Sequence, residues 1–179
     1  CRLIRETGAP AHPHDLALAR KLLAQAGYPD GKGLPPLTIS FFQTHAAAHN
    51  EFDLLKAQLA AIGVQAKGVF MDQPTFTKAA ENGNYQLASF GWEADYPDPE
   101  DFYQLLYGRN APPASNWTGY ANPAYDKAYE TARFMANGPA RLAQLRIMNA
   151  LIADDVPLIV LFDPLKFGIT QAWVGNFKR

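Results

Sequence analysis

Gln86-Leu87-Ala88-Ser89-Phe90 runs directly into Gly91-Trp92-Glu93-Ala94-Asp95-Tyr96-Pro97-Asp98-Pro99-Glu100. The first five residues are a short apolar run bounded by turn signals, the pattern of a buried strand. The ten that follow hold one Trp, one Tyr, two Pro and four carboxylates. Proline locks φ, so such a loop is stiff. A stiff acidic loop with aromatic neighbours, placed at the end of a strand, suits capture of a cationic group.

Outward from that strand the pattern alternates. Leu16, Ala19, Leu23 and Ala26 recur at helical spacing, with Asp15 placed to cap and Gly27 to stop. Tyr28 to Gly33 reads as a turn and Leu37 to Phe42 as a strand. Phe52, Leu55, Leu59 and Ile62 form a helical stripe ended by Gly63, and Val64 to Phe70 reads as a second strand. Gln73 to Glu81 is a short helix stopped at Asn82-Gly83-Asn84, and the third strand runs from Leu87 to Trp92. Glu100 to Leu106 is helical, followed by an irregular Pro-rich stretch through Asn116. Ala124 to Met135 and Pro139 to Asp154 are helices separated by Asn137-Gly138. Pro157 to Phe162 is apolar without a polar break and is expected to be a strand buried on both faces.

Helices alternating with strands imply an α/β layer fold with a mainly parallel sheet flanked by helices. In such sheets ligands bind outside the carboxyl ends of the strands. Two loops stand at such ends, Gln43 to Asn50 and Gly91 to Pro99. Parallel strands would open both on one edge.

At 179 residues the chain is expected to be a single domain over 1–179 with a sizeable core. A net charge of −1 gives no reason to expect a nucleic-acid partner. There is no apolar run near the ~18 residues a membrane span needs. Cys1 is the only cysteine, so no internal disulfide can form. The chain begins at Cys1 rather than Met, which suggests a processed product or a cut fragment; a fragment boundary is favoured over an acylated lipoprotein cysteine.

Four motifs in order carry a family resemblance. Beyond the Gly91–Pro99 loop, they are Ala19-Arg20-Lys21-Leu22-Leu23-Ala24-Gln25-Ala26-Gly27-Tyr28-Pro29-Asp30-Gly31, Leu59-Ala60-Ala61-Ile62-Gly63-Val64, Asn116-Trp117-Thr118-Gly119-Tyr120-Ala121-Asn122-Pro123-Ala124-Tyr125-Asp126, and Ala153-Asp154-Asp155-Val156-Pro157-Leu158-Ile159. Together they resemble the extracytoplasmic solute-binding proteins of dipeptide and oligopeptide ABC importers, solute-binding protein family 5. The resemblance implies a type II periplasmic-binding-protein fold, of which this chain looks like the second, carboxyl-terminal lobe, with the first lobe missing. It implies a periplasmic protein, or an extracytoplasmic one anchored to the membrane in a Gram-positive. It also implies an ABC permease as partner and a peptide as solute. The Asp of the GW-x-x-D motif, here Asp95, would hold the peptide's free α-amino group, with Trp92 packed beside it. Gly91, Tyr96 and His45 join them as candidate ligand-site residues. Asn116, Tyr120, Asn122 and Asp126 would support the loop. No cofactor and no metal are implied.

Each residue also has a plainer reading. On its chemistry alone Asp95 reads first as a turn or helix cap. Trp92 fits a core aromatic equally well. Tyr96, Pro97, Asp98 and Pro99 suit shaping the loop, and Glu93 suits solvent. His45 and His49 are four apart but lack a third ligand at a familiar spacing, so a solute contact is favoured over a metal. Asn116-Trp117-Thr118 is formally a glycosylation sequon of little weight. Some oligopeptide carriers place a basic residue just before GW; here stand Ala88, Ser89 and Phe90, leaving the peptide-carboxylate anchor unassigned. Glu93, Asp95, Asp98, Glu100 and Asp101 raise the rival of a glycoside hydrolase. No nucleophile elbow, zinc spacing or phosphate loop accompanies them, so a non-enzyme is expected. A carrier of a nickel complex, haem or oligosaccharide, or a regulator's sensory module, keeps the fold and changes the solute.

Overall fold

The computed structural model describes residues 14–161, 169–171 and 173–175. Helix α1 (Leu16–Gln25) begins where the Leu18 amide donates to Asp15 Oδ1 at 2.9 Å. Gly27, at φ +91, ends it, and a 3-10 turn follows at Pro29–Gly31. Then come β1 (Leu37–Phe41), α2 (Ala46–Ala60), β2 (Ala66–Phe70), α3 (Gln73–Glu81) and β3 (Leu87–Ser89). The three strands form one sheet in the order β2-β1-β3, and both pairings are parallel. The α/β reading of the sequence is therefore correct.

β1 is the central strand and its residues Ile39 and Phe41 are buried. α2 covers the sheet with Ala48, Phe52, Leu55 and Leu59. Phe41 stacks on Phe70 at 5.1 Å and meets Phe52 edge-on at 6.1 Å, so one aromatic from each element closes this core.

After β3 the regular elements among the described residues are all helical. α4 (Glu100–Tyr103) runs into a 3-10 turn at Gln104–Leu106, another stands at Gly108–Asn110, and α5 (Pro123–Ala132) and α6 (Pro139–Asp155) follow. Tyr103, Leu106, Tyr107, Tyr125, Ala128, Tyr129, Ala132, Leu145 and Met148 make a second core between these elements. Its tyrosines keep their hydroxyls paired. Tyr125 donates to the Tyr103 carbonyl and Tyr103 to Asn149 Oδ1, both at 2.8 Å.

Two of the sequence motifs meet in space. A Cβ on Gly31 would stand 2.0 Å from the Gly63 carbonyl oxygen, and one on Gly63 would stand 2.1 Å from that of Asp30. The turn after α1 and the turn after α2 thus close on each other through bare backbone, and Arg20 Nη2 donates to the Ala61 carbonyl at 2.7 Å beside them.

Two strand expectations need correction. β3 stops at Ser89 rather than reaching Trp92. It pairs only with β1, whose last residue, Phe41, lies opposite Ser89, so the ladder has no partner beyond that point. The strand expected from Pro157 to Phe162 is not formed over residues 157–161, and Phe162 lies outside the described residues. Ile159 and Val160 are 73% and 61% exposed. An apolar run shows that a segment suits burial, but it does not supply the neighbour that buries it.

The glycine contact yields a test. Gly31→Ala meets both a positive φ and a backbone oxygen, and should cost about 2 kcal/mol or more. Gly91→Ala enters open space and should change stability by less than about 0.5 kcal/mol. Urea unfolding of the two variants measures the difference, and equal effects would contradict the packing described.

Candidate functional site

Parallel strands place the segments after β1, β2 and β3 on one edge of the sheet. The segment after β1 carries His45, which is exposed and precedes α2 without a side-chain capping bond. His49, one turn on, is stacked 3.8 Å from the Phe70 ring. No group of three or more His, Cys, Asp or Glu able to hold a metal occurs among the described residues. The segment after β3 is the acidic loop.

That loop is held at several points by its own acids. Asp98 accepts two hydrogen bonds from Arg141, Nη1 to Oδ2 at 2.8 Å and Nη2 to Oδ1 at 2.6 Å. Its Oδ1 also accepts the Glu100 amide at 2.8 Å, starting α4. Arg141 is buried in α6, where its Nε donates to the Ala132 carbonyl of α5 at 3.1 Å and Nη1 also donates to Asn137 Oδ1. The Arg141 hydrogen bonds hold the Asp98 carboxyl below the usual carboxylate range. Glu100 accepts from the hydroxyls of Tyr96 and Tyr129. The bond to Glu100 pushes the Tyr96 hydroxyl pKa up, whereas for Tyr129 burial is the larger cause and Glu100 adds to it. Asp101 is buried and its Oδ2 accepts Trp92 Nε1–H at 2.9 Å and the Asp95 amide at 3.2 Å.

Asp95 differs. It is exposed, and its carboxylate has no partner among the described residues. Gly91, Glu93 and Tyr96 are also exposed, and Trp92 is half-buried. The structure thus brings Gly91, Trp92, Asp95 and Tyr96 onto one loop and His45 onto the same sheet edge.

The second motif lies behind the loop. Asn116 is fully buried and its Nδ2 donates to the carbonyls of Tyr107 and Tyr120 at 3.1 and 2.9 Å. An amide so used is not open to glycosylation. Trp117 lies between Phe90 of the loop and Phe76 of α3, at 5.4 and 6.4 Å. Asn122 caps α5, accepting the Ala124 amide at 2.9 Å. Asp126 Oδ1 accepts the Gly108 amide at 2.9 Å. The Tyr120 hydroxyl and Asn122 Nδ2 both donate to Asp155 Oδ2, at 2.5 and 2.8 Å, which lowers the Asp155 pKa.

Sequence reading missed Arg141. The signal was present: Arg141, Leu145, Met148 and Asn149 share one helical stripe, and all four are buried. An arginine and an asparagine inside an apolar stripe announce partners to be found elsewhere. Glu51 was also missed as a feature of this edge; it accepts from the hydroxyl of Ser89, where some carriers have a basic residue nearby.

A parallel sheet with an acidic loop beyond the carboxyl end of its third strand is the arrangement compared with known proteins. Residues 5–114 match the model of the bacterial extracellular solute-binding proteins, family 5 Middle, and the chain belongs to that family. It is 24% identical over 173 residues to Di/tripeptide-binding protein 3 of Pseudomonas aeruginosa, covering 93% of this chain and 32% of that one. It is 28% identical over 173 residues to Heme-binding protein A of Haemophilus influenzae, covering 94% and 31%. Among solved structures, the ABC transporter-associated periplasmic binding protein DppA from Helicobacter pylori, in complex with the peptide STSA, superposes with a TM-score of 0.72 at 28% identity. That match covers 83% of this chain and 28% of DppA. The chain spans about a third of the length of the curated relatives it matches.

The tether of the loop is open to test. Asp98→Asn should lower stability by about 2–3 kcal/mol, less than a fully buried pair would lose because the Asp98 side chain is 31% exposed. A carboxyl with a depressed folded pKa stabilises above its unfolded value, near about 3.9, and loses that contribution as pH falls through the folded value. The advantage of the wild type over Asp98→Asn should be full near neutral pH and shrink below about pH 4. Chemical denaturation across pH measures it, and a difference that does not change with pH would contradict the pair.

Proposed function

We propose that this chain is the second, carboxyl-terminal lobe of a peptide carrier serving an ABC importer, and that Asp95 holds the α-amino group of the bound peptide. One observation carries the reading. Asp98, Glu100 and Asp101 are engaged by the fold, whereas the Asp95 carboxylate stands exposed at the carboxyl edge of a parallel sheet and has no partner among the described residues. A carboxylate and an ammonium form a charge-assisted hydrogen bond. Closed into a cleft between two lobes, the pair loses water, and removing one partner costs about 2–5 kcal/mol. The peptide's main chain can be held by backbone groups regardless of sequence, which favours broad specificity.

On this reading the work is capture without turnover, in the periplasm or on the outer face of the cytoplasmic membrane, with delivery to a permease. The first lobe supplies the other wall and the anchor for the peptide carboxylate. Family membership supports the class, and the DppA complex with a peptide supports the solute. The haem-binding relative keeps a second reading in view. Haem brings carboxylates of its own, which the exposed acids Glu93 and Asp95 disfavour.

In the complete two-lobe protein, Asp95→Ala should abolish measurable peptide binding by calorimetry and leave the melting temperature nearly unchanged. Equal affinity in variant and wild type would refute the role. The isolated chain should bind peptide very weakly, and tight binding by it alone would refute the two-lobe reading.

A further inference from the structure

Asp101 is the second residue of α4 and is 1% exposed. Its carboxylate is used unevenly. Oδ2 accepts both the Trp92 indole N–H and the Asp95 amide, while Oδ1 is buried and has no hydrogen-bond partner among the described residues. Nor does a Lys or Arg pair with it there, in contrast to Asp98. Burying a carboxylate without a cation is unfavourable, and a fold that needed only to fill this position would place an apolar side chain there.

The two bonds explain its presence. They reach the two conspicuous residues of the GW-x-x-D motif from a single atom. The bond to the Asp95 amide fixes the backbone from which the Asp95 carboxylate projects. The bond to Trp92 fixes the indole on the same support. We infer that Asp101 is the positioning residue of the amine site, clamping Trp92 and the Asp95 backbone in the arrangement that receives an ammonium group. The inference rests on the reading of Asp95 as the amine ligand, deepening it with a second carboxylate that never touches the solute.

Two measurements test it. The first uses this chain alone. In Asp101→Leu, hydrogen exchange of the Trp92 indole and the Asp95 amide should quicken at least tenfold, while the amides of β1 keep their rates. Asp101→Asn, which retains an acceptor oxygen, should restore most of the protection; should the Leu variant not fold, Asp101→Ala, which also removes the acceptor, takes its place with the same expected quickening. Unchanged exchange at both groups, or quickening of all amides together, overturns the clamp. The second uses the complete two-lobe protein and a mixture of alanyl di-, tri- and tetrapeptides, free or N-acetylated. The wild type should prefer the free amines, and Asp101→Leu should reduce that preference tenfold or more. If the wild type shows no preference, the reading of Asp95 fails, and the exchange measurement still decides the clamp. If the wild type prefers free amines and the variant keeps the full preference, the positioning role fails.

Discussion

The bidentate ion pair between Arg141 and Asp98 is the interaction on which the site depends. Arg141 belongs to α6; its Nη1 also donates to Asn137 Oδ1 and its Nε to the Ala132 carbonyl at the end of α5. Asp98 belongs to the loop that leaves β3. One guanidinium therefore joins the helical half of the chain to the loop at the sheet edge. The planar fork of arginine meets both carboxylate oxygens at once and fixes orientation as well as distance, which a lysine could not do. Once Asp98 is fixed, α4 starts where the Glu100 amide meets Asp98 Oδ1, and Glu100 and Asp101 fall into place behind it.

A division of labour among like residues follows. The loop is rich in acids, yet those engaged by the fold act as fasteners. Asp98 binds a cation, Glu100 gathers two tyrosine hydroxyls, and Asp101 holds an indole and an amide. Repulsion among neighbouring carboxylates is relieved because each faces a different set of donors. Asp95, exposed on the same loop, is thereby kept on a supported backbone.

Much of this was legible in the sequence, for identifiable reasons. Helices and strands up to Ser89 follow from short-range periodicity and from stops such as Gly27 and Asn82-Gly83-Asn84, which act within a few residues. The position of Asp95 at a strand's carboxyl end follows from the alternation of elements. The Arg141–Asp98 pair spans 43 positions and leaves only an indirect trace, a charge within the buried stripe of α6. The role of Asp101 was illegible because an acid in the first turn of a helix is ordinary on electrostatic grounds alone. The expected strand did not form over residues 157–161 for a related reason: strand formation depends on neighbours that an apolar run cannot name.

The most direct measurement is a crystal structure of the complete protein with a short peptide bound. An amine-binding Asp95 places the peptide ammonium about 2.7–2.9 Å from its carboxylate, with the Arg141–Asp98 pair intact behind the loop. An ammonium held elsewhere, with Asp95 facing solvent or bonded to the protein, would contradict the central claim.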